Sequence, residues 1–266
     1  QRDEAVRTIV PSAPEFRTME EDQCNPNSPQ EDIQIAERVM AEGDYPHAAF
    51  HVAAALSTNP LREDWVKLLD EIIEKCPDPE KLLPRDGGED GDWFGSVAAR
   101  AYAYHKTGDL GSALSSMSDL IGAIPDTAYF PWLVEMLEDN DRIGRECDPD
   151  DLVSLASSLI QNQAIDQLDP DLRSEICDLL SSGLATLAEK HPEDEDLGFG
   201  RSLFLRRLGR LDEAESVAMN FFDRTPSWRT AIAVAMVHKE RGDVDTSLEW
   251  YERAASLEPG NETTYL

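Results

Sequence analysis

A glycine-led pattern recurs along this chain and constrains its fold more than any other feature: Gly-Asp-x-x-x-Ala, closed by a proline seventeen residues after the glycine. It runs Gly43-Asp44…Ala48…Ala55…Pro60, then Gly108-Asp109…Ala113…Pro125. It returns as Gly209-Arg210…Ala214…Pro226 and as Gly242-Asp243…Ser247…Ala254…Pro259. In each copy one helix is expected to end at the glycine and a second to begin a few residues later. Glycine suits the corner because it adopts positive φ without a Cβ penalty. The small residues let two helix backbones approach closely. The proline stops the second helix, since it cannot donate the next helical hydrogen bond and biases its predecessor away from the helical region. A unit of this length cannot bury its apolar face alone and must stack on copies of itself. Such an architecture offers an extended binding surface rather than a reaction centre.

The pattern resembles the tetratricopeptide repeat family, whose module is a helix-turn-helix of about 34 residues. The best match is Arg241-Gly242-Asp243…Leu248…Tyr251…Ala254-Ala255…Pro259, with Glu42-Gly43-Asp44-Tyr45…Ala48…Ala55-Leu56…Pro60 close behind. The Gly209 copy keeps Leu211-Asp212-Glu213-Ala214 but has Phe221 where a later alanine is usual, and the Gly108 copy has Leu120 there. Proline spacing extends the resemblance. Pro192, Pro226 and Pro259 lie 34 and 33 residues apart, while gaps of 65 (Pro60 to Pro125) and 67 (Pro125 to Pro192) each fit one further, degenerate repeat.

The resemblance implies an all-α, right-handed α-solenoid of about seven antiparallel helix-turn-helix repeats. Clear repeats are expected around 31–60, 94–125, 195–226 and 228–259, and degenerate ones around 61–93, 126–160 and 161–192. The last of these is supported by Leu172, Ile176, Leu179, Leu180, Leu184 and Leu187, which trace one apolar helical stripe. Asp78-Pro79, Asp148-Pro149 and Asp169-Pro170 read as helix starts, with aspartate as cap and proline at the first helical position. Residues 1–30, with Pro11, Pro14, Pro26 and Pro29 among acids and polar groups, read as a flexible or extended acidic leader.

Charge narrows the partners. The net charge of −30 opposes contact with nucleic acid phosphates and with anionic membrane surfaces. No apolar run approaches the length of a membrane span, so no membrane insertion is expected. The widely spaced cysteines Cys24, Cys76, Cys147 and Cys177 form no Cys-x-x-Cys pair. That argues against zinc and against a disulfide framework, and points to a reducing, cytoplasmic setting.

The candidate chemistry is thin. His47 and His51 stand four residues apart on one helix face but lack the third ligand of a metal centre. The stretch 84–92 has the composition of a calcium loop without its residue order. Acid runs such as Asp150-Asp151 and Glu193-Asp194-Glu195-Asp196 lie in loops and first helical turns, where the helix dipole favours them. Cys147, between Glu146 and Asp148, is in a setting that raises a thiol pKa. No nucleophile motif, phosphate loop or dinucleotide fingerprint is present. The chain is therefore expected to be non-catalytic, with no cofactor and no metal.

What the resemblance implies about ligands is a concave groove lined by the first helix of each hairpin. Carried over by register, the Gly108 copy contributes Tyr102, His105 and Lys106, and the Gly209 copy contributes Phe199, Leu203, Arg206 and Arg207. The Gly242 copy contributes Arg229, Met236 and Lys239. These residues are apolar, aromatic or basic in a very acidic protein, which suits an extended or helical segment carrying aromatic and acidic side chains. The carboxylate clamp of chaperone-tail adaptors is not apparent, since Ile33, Glu37, Ala98, Tyr102, Phe199, Leu203, Ile232 and Met236 occupy its positions. The expected function is a protein-interaction scaffold with a protein or peptide partner. The alternative is the docking region of a larger enzyme, suggested by Tyr265 opening what reads as a further first helix. Self-association through the uncapped C-terminal repeat is the remaining expectation.

Overall fold

The structure, a computed structural model, describes residues 27–83 and 94–259. The leader up to residue 26 with Cys24, the Asp/Glu/Gly-rich stretch 84–92 and the fragment after Pro259 with Tyr265 lie outside the described residues. Within them the chain is all-α. Helices α1 (Pro29–Ala41) and α2 (Tyr45–Thr58) form the first hairpin, followed by α3 (Glu63–Lys75) and a 3₁₀ turn at Pro79–Lys81. Helices α4 (Phe94–Thr107) and α5 (Leu110–Ala123) form the next. The middle holds α6 (Phe130–Leu137), α7 (Asn140–Glu146), α8 (Pro149–Gln161), α9 (Ala164–Gln167) and α10 (Pro170–Lys190). Two hairpins complete the chain, α11 (Glu195–Arg207) with α12 (Leu211–Arg224) and α13 (Trp228–Arg241) with α14 (Val244–Leu257).

The repeat motif translates directly into backbone geometry. Gly43, Gly108, Gly209 and Gly242 all have positive φ, between 74° and 101°. At each corner the amide after the glycine donates to a carbonyl five residues back: Asp44 to Val39, Asp109 to Tyr104, Arg210 to Leu205 and Asp243 to His238, at 2.9–3.0 Å. This is the αL helix stop that glycine makes cheap. The aspartate then caps the second helix. Asp44, Asp109 and Asp243 accept from the amides of His47, Ser112 and Thr246. Arg210 makes no such cap; its guanidinium grips Glu213 instead, with both nitrogen–oxygen distances at 2.7 Å. Each second helix ends two residues before its proline, and the pre-proline residues Asn59, Ile124, Thr225 and Glu258 are pushed out of the helical region, with ψ of 77–85°.

Small residues fill the close contacts. Ala48, Ala113 and Ala214 are fully buried, and Ser247, in the fourth copy, donates its hydroxyl to the Ala235 carbonyl at 2.9 Å. Phe221 breaks the small-residue rule yet remains 4 % exposed, because Gly198 stands opposite on α11. A Cβ at Gly198 would lie 2.3 Å from Phe221 Cγ.

The marked hairpins stack through shared neighbours: α4 rests on α2, α8 on α5, α11 on α8 and α10, and α13 on α11 and α12. The intervening segments are not equal-armed hairpins. Residues 61–93 supply α3 and a 3₁₀ turn, so Asp78-Pro79 opens three residues of 3₁₀ helix among the described residues rather than an α-helix. Residues 126–160 supply the eight-residue α6, the seven-residue α7 and α8, and residues 161–192 supply the four-residue α9 and the 21-residue α10. The physical reason is the missing glycine corner. Aspartates 139, 148 and 169 restart helices there, and the non-glycine residues Leu61 and Gln163 take positive φ of 59° and 56°. Pro29 likewise starts α1, behind a Ser28–Glu31 capping box, two residues inside the expected leader.

One continuous core runs from Ile33 to Val237, and two small satellite clusters sit beneath the last hairpin. In α14 only Ser247 and Ala254 are buried, which leaves Val244 61 % and Leu248 55 % exposed at the end of the described array.

Candidate binding groove

The first helices α11 and α13 carry one face each into a shared depression. Phe199, Leu203 and Arg206 recur at helical spacing on α11, and Met236 does so on α13 opposite them. Together with Ser202 and Ala233 they line a shallow depression between the two helices, too narrow to admit even a water. Four of the ten residues selected by register therefore meet in one place. Ser202 also bonds inward, donating its hydroxyl to the Ala214 carbonyl at 3.1 Å.

The flanking cations are held rather than free. Arg206 pairs with Glu240 at 3.3 Å, Arg229 with Asp196 and Arg207 with Asp166. The Arg229 guanidinium also lies 5.7 Å from the Trp228 ring centre. Lys239 is exposed in the last turn of α13. Exposed ion pairs of this kind are worth about 0–1 kcal/mol, so a ligand carboxylate can compete for the same arginines.

The three residues of the Gly108 copy lie apart from that depression. Tyr102 is 4 % exposed, stacks on Trp132 with ring centres 4.4 Å apart and donates its hydroxyl to Asp70 at 2.8 Å. Burial first, then the bond to Asp70, pushes its phenol pKa up, so it stays protonated. Tyr102 is thus a floor residue and not a free reader of ligand. Lys106 lies over the Tyr102 ring, 4.9 Å from its centre. His105 has a buried Nδ1 without a hydrogen-bond partner, and burial followed by Arg142 and Lys106 holds it below the ordinary imidazole range. A shallow cleft of about 340 Å³ adjoins this group, lined by Val66, Asp70, Trp132 and Glu135 among others. Register reasoning could not include Trp132 or Asp70, since α6 and α3 carry no repeat motif.

Other chemistry-bearing residues resolve into structural roles. His51 places Nδ1 2.9 Å from the buried Asp32 carboxylate and Nε2 3.1 Å from Nε2 of His47. No further His, Cys, Asp or Glu completes a metal-holding group among the described residues. Cys147 and Cys177 are buried, with burial pushing their thiols up to about 12 and about 11. No described helix is long and apolar enough to cross a membrane.

No protein-family model matches the chain, and no curated protein does. Among solved structures it is similar to a thermophilic tetratricopeptide repeat protein of Thermus thermophilus, at 17 % identity over 90 % of this chain and 95 % of that one, with a TM-score of 0.40. A tetratricopeptide repeat protein of Parabacteroides merdae shares 16 % identity over 89 % and 96 % of the two chains, with a TM-score of 0.33. The protein MamA shares 11 % over 90 % and 96 %, with a TM-score of 0.36. The fold assignment rests on the chain's own hairpins. With glycine corners, small-residue contacts and proline stops repeated at one spacing, the described chain folds as an all-α array of stacked helix-turn-helix repeats.

Proposed function

We propose that this protein is a non-catalytic scaffold that binds a protein or peptide segment on the face formed by α11 and α13. The observation that carries the reading is the depression between two successive hairpins, floored by Phe199, Leu203 and Met236 and edged by Arg206. Its apolar surface suits an aromatic or aliphatic side chain laid across it, and the arginines suit acidic residues beside it. A random peptide library displayed against the protein tests this. Enriched peptides are expected to combine an apolar anchor with flanking acids. Arg206→Glu and Met236→Asp are each expected to weaken such peptides by about ten-fold while helical circular dichroism is unchanged. Selected peptides that bind both variants as tightly as the parent would remove the groove reading.

A second reading, self-association, is favoured by the exposed Val244 and Leu248 on α14. An exposed apolar stripe on a repeat helix is a surface that a neighbouring helix can cover. Light scattering over a concentration range should then show dimers that Leu248→Glu converts to monomers. A strict monomer at high concentration ends this reading.

A further inference from the structure

The largest cleft among those described lies away from the proposed groove. It has a volume of about 800 Å³ and is formed by the end of α10, the following turn, α11 and α12. Ala188, Val217 and Phe221 contribute a narrow apolar strip to a mainly polar lining, Arg201 and Arg224 supply cations, and Glu189 and Glu193 stand at exposed positions. Arg201 is two residues from Phe199, about 200° around the helix, so the cleft and the depression occupy opposite faces of α11.

Arg201 differs from the other arginines withdrawn from the surface. Arg142, Arg173, Arg206, Arg210 and Arg229 each meet a carboxylate, and the buried Arg100 donates to the Leu83 carbonyl at 2.7 Å. Arg201 is half-buried and makes no ion pair or hydrogen bond among the described residues. The carboxylate of Glu213, which acts on it electrostatically, has both oxygens engaged by Arg210. Burial consequently lowers the Arg201 pKa, with only partial compensation from Glu213 and Glu189. In a chain of net charge −30, a desolvated cation left unmatched inside a cleft is a position where an added anion gains the most.

We propose that this cleft binds a carboxylate-bearing ligand with an apolar body, its carboxylate forked onto Arg201 and its body against Val217 and Phe221. A carboxylate is favoured over a phosphate because Glu189 and Glu193 repel a dianion more strongly than a monoanion, while the planar guanidinium can hold either in two parallel bonds. The source is either a free organic acid or an acidic residue of a peptide segment. The site is independent of the proposed groove.

The test follows two readouts in ¹H–¹⁵N spectra: the Arg201 Nε–H signal, assigned by its loss in Arg201→Lys, and the backbone amides of the lining residues Val217 and Phe221, which remain in every variant. The probes are N-acetyl-phenylalaninate, its uncharged amide as control, and a blocked Ala-Glu-Phe-Glu-Ala peptide. A saturable shift with either acid probe and none with the amide is expected. Response to the free acid alone identifies a small-acid site, and response to the peptide identifies a site for acidic segments. Arg201→Gln should weaken binding by about ten-fold or more, and the exposed Glu193→Gln should tighten it several-fold. Met236→Asp, on the other face, should leave the shift intact even if it abolishes groove binding. No saturable shift with either acid, or equal affinity in the parent, Arg201→Gln and Glu193→Gln, overturns the proposal. If Arg201→Gln fails to fold, unchanged affinity in Glu193→Gln alone overturns it.

Discussion

Gly198→Ala is expected to destabilise the array by about 3 kcal/mol, the upper range for overpacking a core. The added Cβ would lie 2.3, 2.5 and 2.8 Å from three ring carbons of Phe221. Phe221 is 4 % exposed and belongs to the main core, so its ring has little room to retreat. Phe221→Ala alone should cost about 3–5 kcal/mol through the cavity it leaves. In the double variant the new methyl enters space that the ring has vacated. The combined cost should therefore fall short of the sum by at least about 1 kcal/mol. Urea denaturation of the four proteins measures this coupling, and additive costs would show that the two positions do not exchange volume.

Tyr129 is the second position where a single change should cost heavily. It is fully buried, its ring centre is 5.0 Å from that of Trp132, and its hydroxyl donates to the Leu56 carbonyl at 2.7 Å. Leu56 lies in the last turn of α2, where carbonyls have no partner within the helix. α2 lacks a glycine stop, and its capping residue Asn59 serves the Ala55 carbonyl instead. Tyr129 thus completes a helix end 73 residues earlier in sequence. Tyr129→Phe keeps the packing and strands that carbonyl, for a cost of about 1–3 kcal/mol. Tyr129→Ala also removes the ring, for about 4 kcal/mol in total. Equal stability of Tyr129→Phe and the parent in urea melts would mean that water reaches Leu56 and the hydroxyl is dispensable.

These two sites mark what could be read from the chain and what could not. Corners, caps and proline stops are local: each depends on a handful of consecutive residues, and Gly43, Gly108, Gly209 and Gly242 announce them. The α10 stripe is equally local, with Ile176, Leu180, Leu184 and Leu187 fully buried. The middle of the chain is less legible because its helices are set by partners distant in sequence. Tyr129 and Leu56 are one case; Tyr102 with Trp132 and Asp70 is another, and it turned a candidate groove residue into floor. Phe221 was visible as an anomaly, but its explanation, Gly198, lies on another helix. On α11 and α13 the register does bring Phe199, Leu203, Arg206 and Met236 into one depression. The Arg201 cleft needed three helices in place before it could be seen.

The ion pairs along α11 and α13 have a further consequence for assembly. Arg206 and Glu240 are 34 residues apart, and Arg229 and Asp196 are 33 apart, so each pair joins neighbouring copies at the repeat length. Arg229 and Asp196 are each thirteen residues before their own turn glycine, and the two earlier glycine-marked copies carry Gln30 and Gly95 there. Hairpins of similar shape can dock on the wrong copy while a chain folds. Both charge pairs link the third marked hairpin to the fourth, and the uncharged Gln30 and Gly95 stand where the earlier copies would need the Arg229–Asp196 pair, so that electrostatic match is private to these two copies.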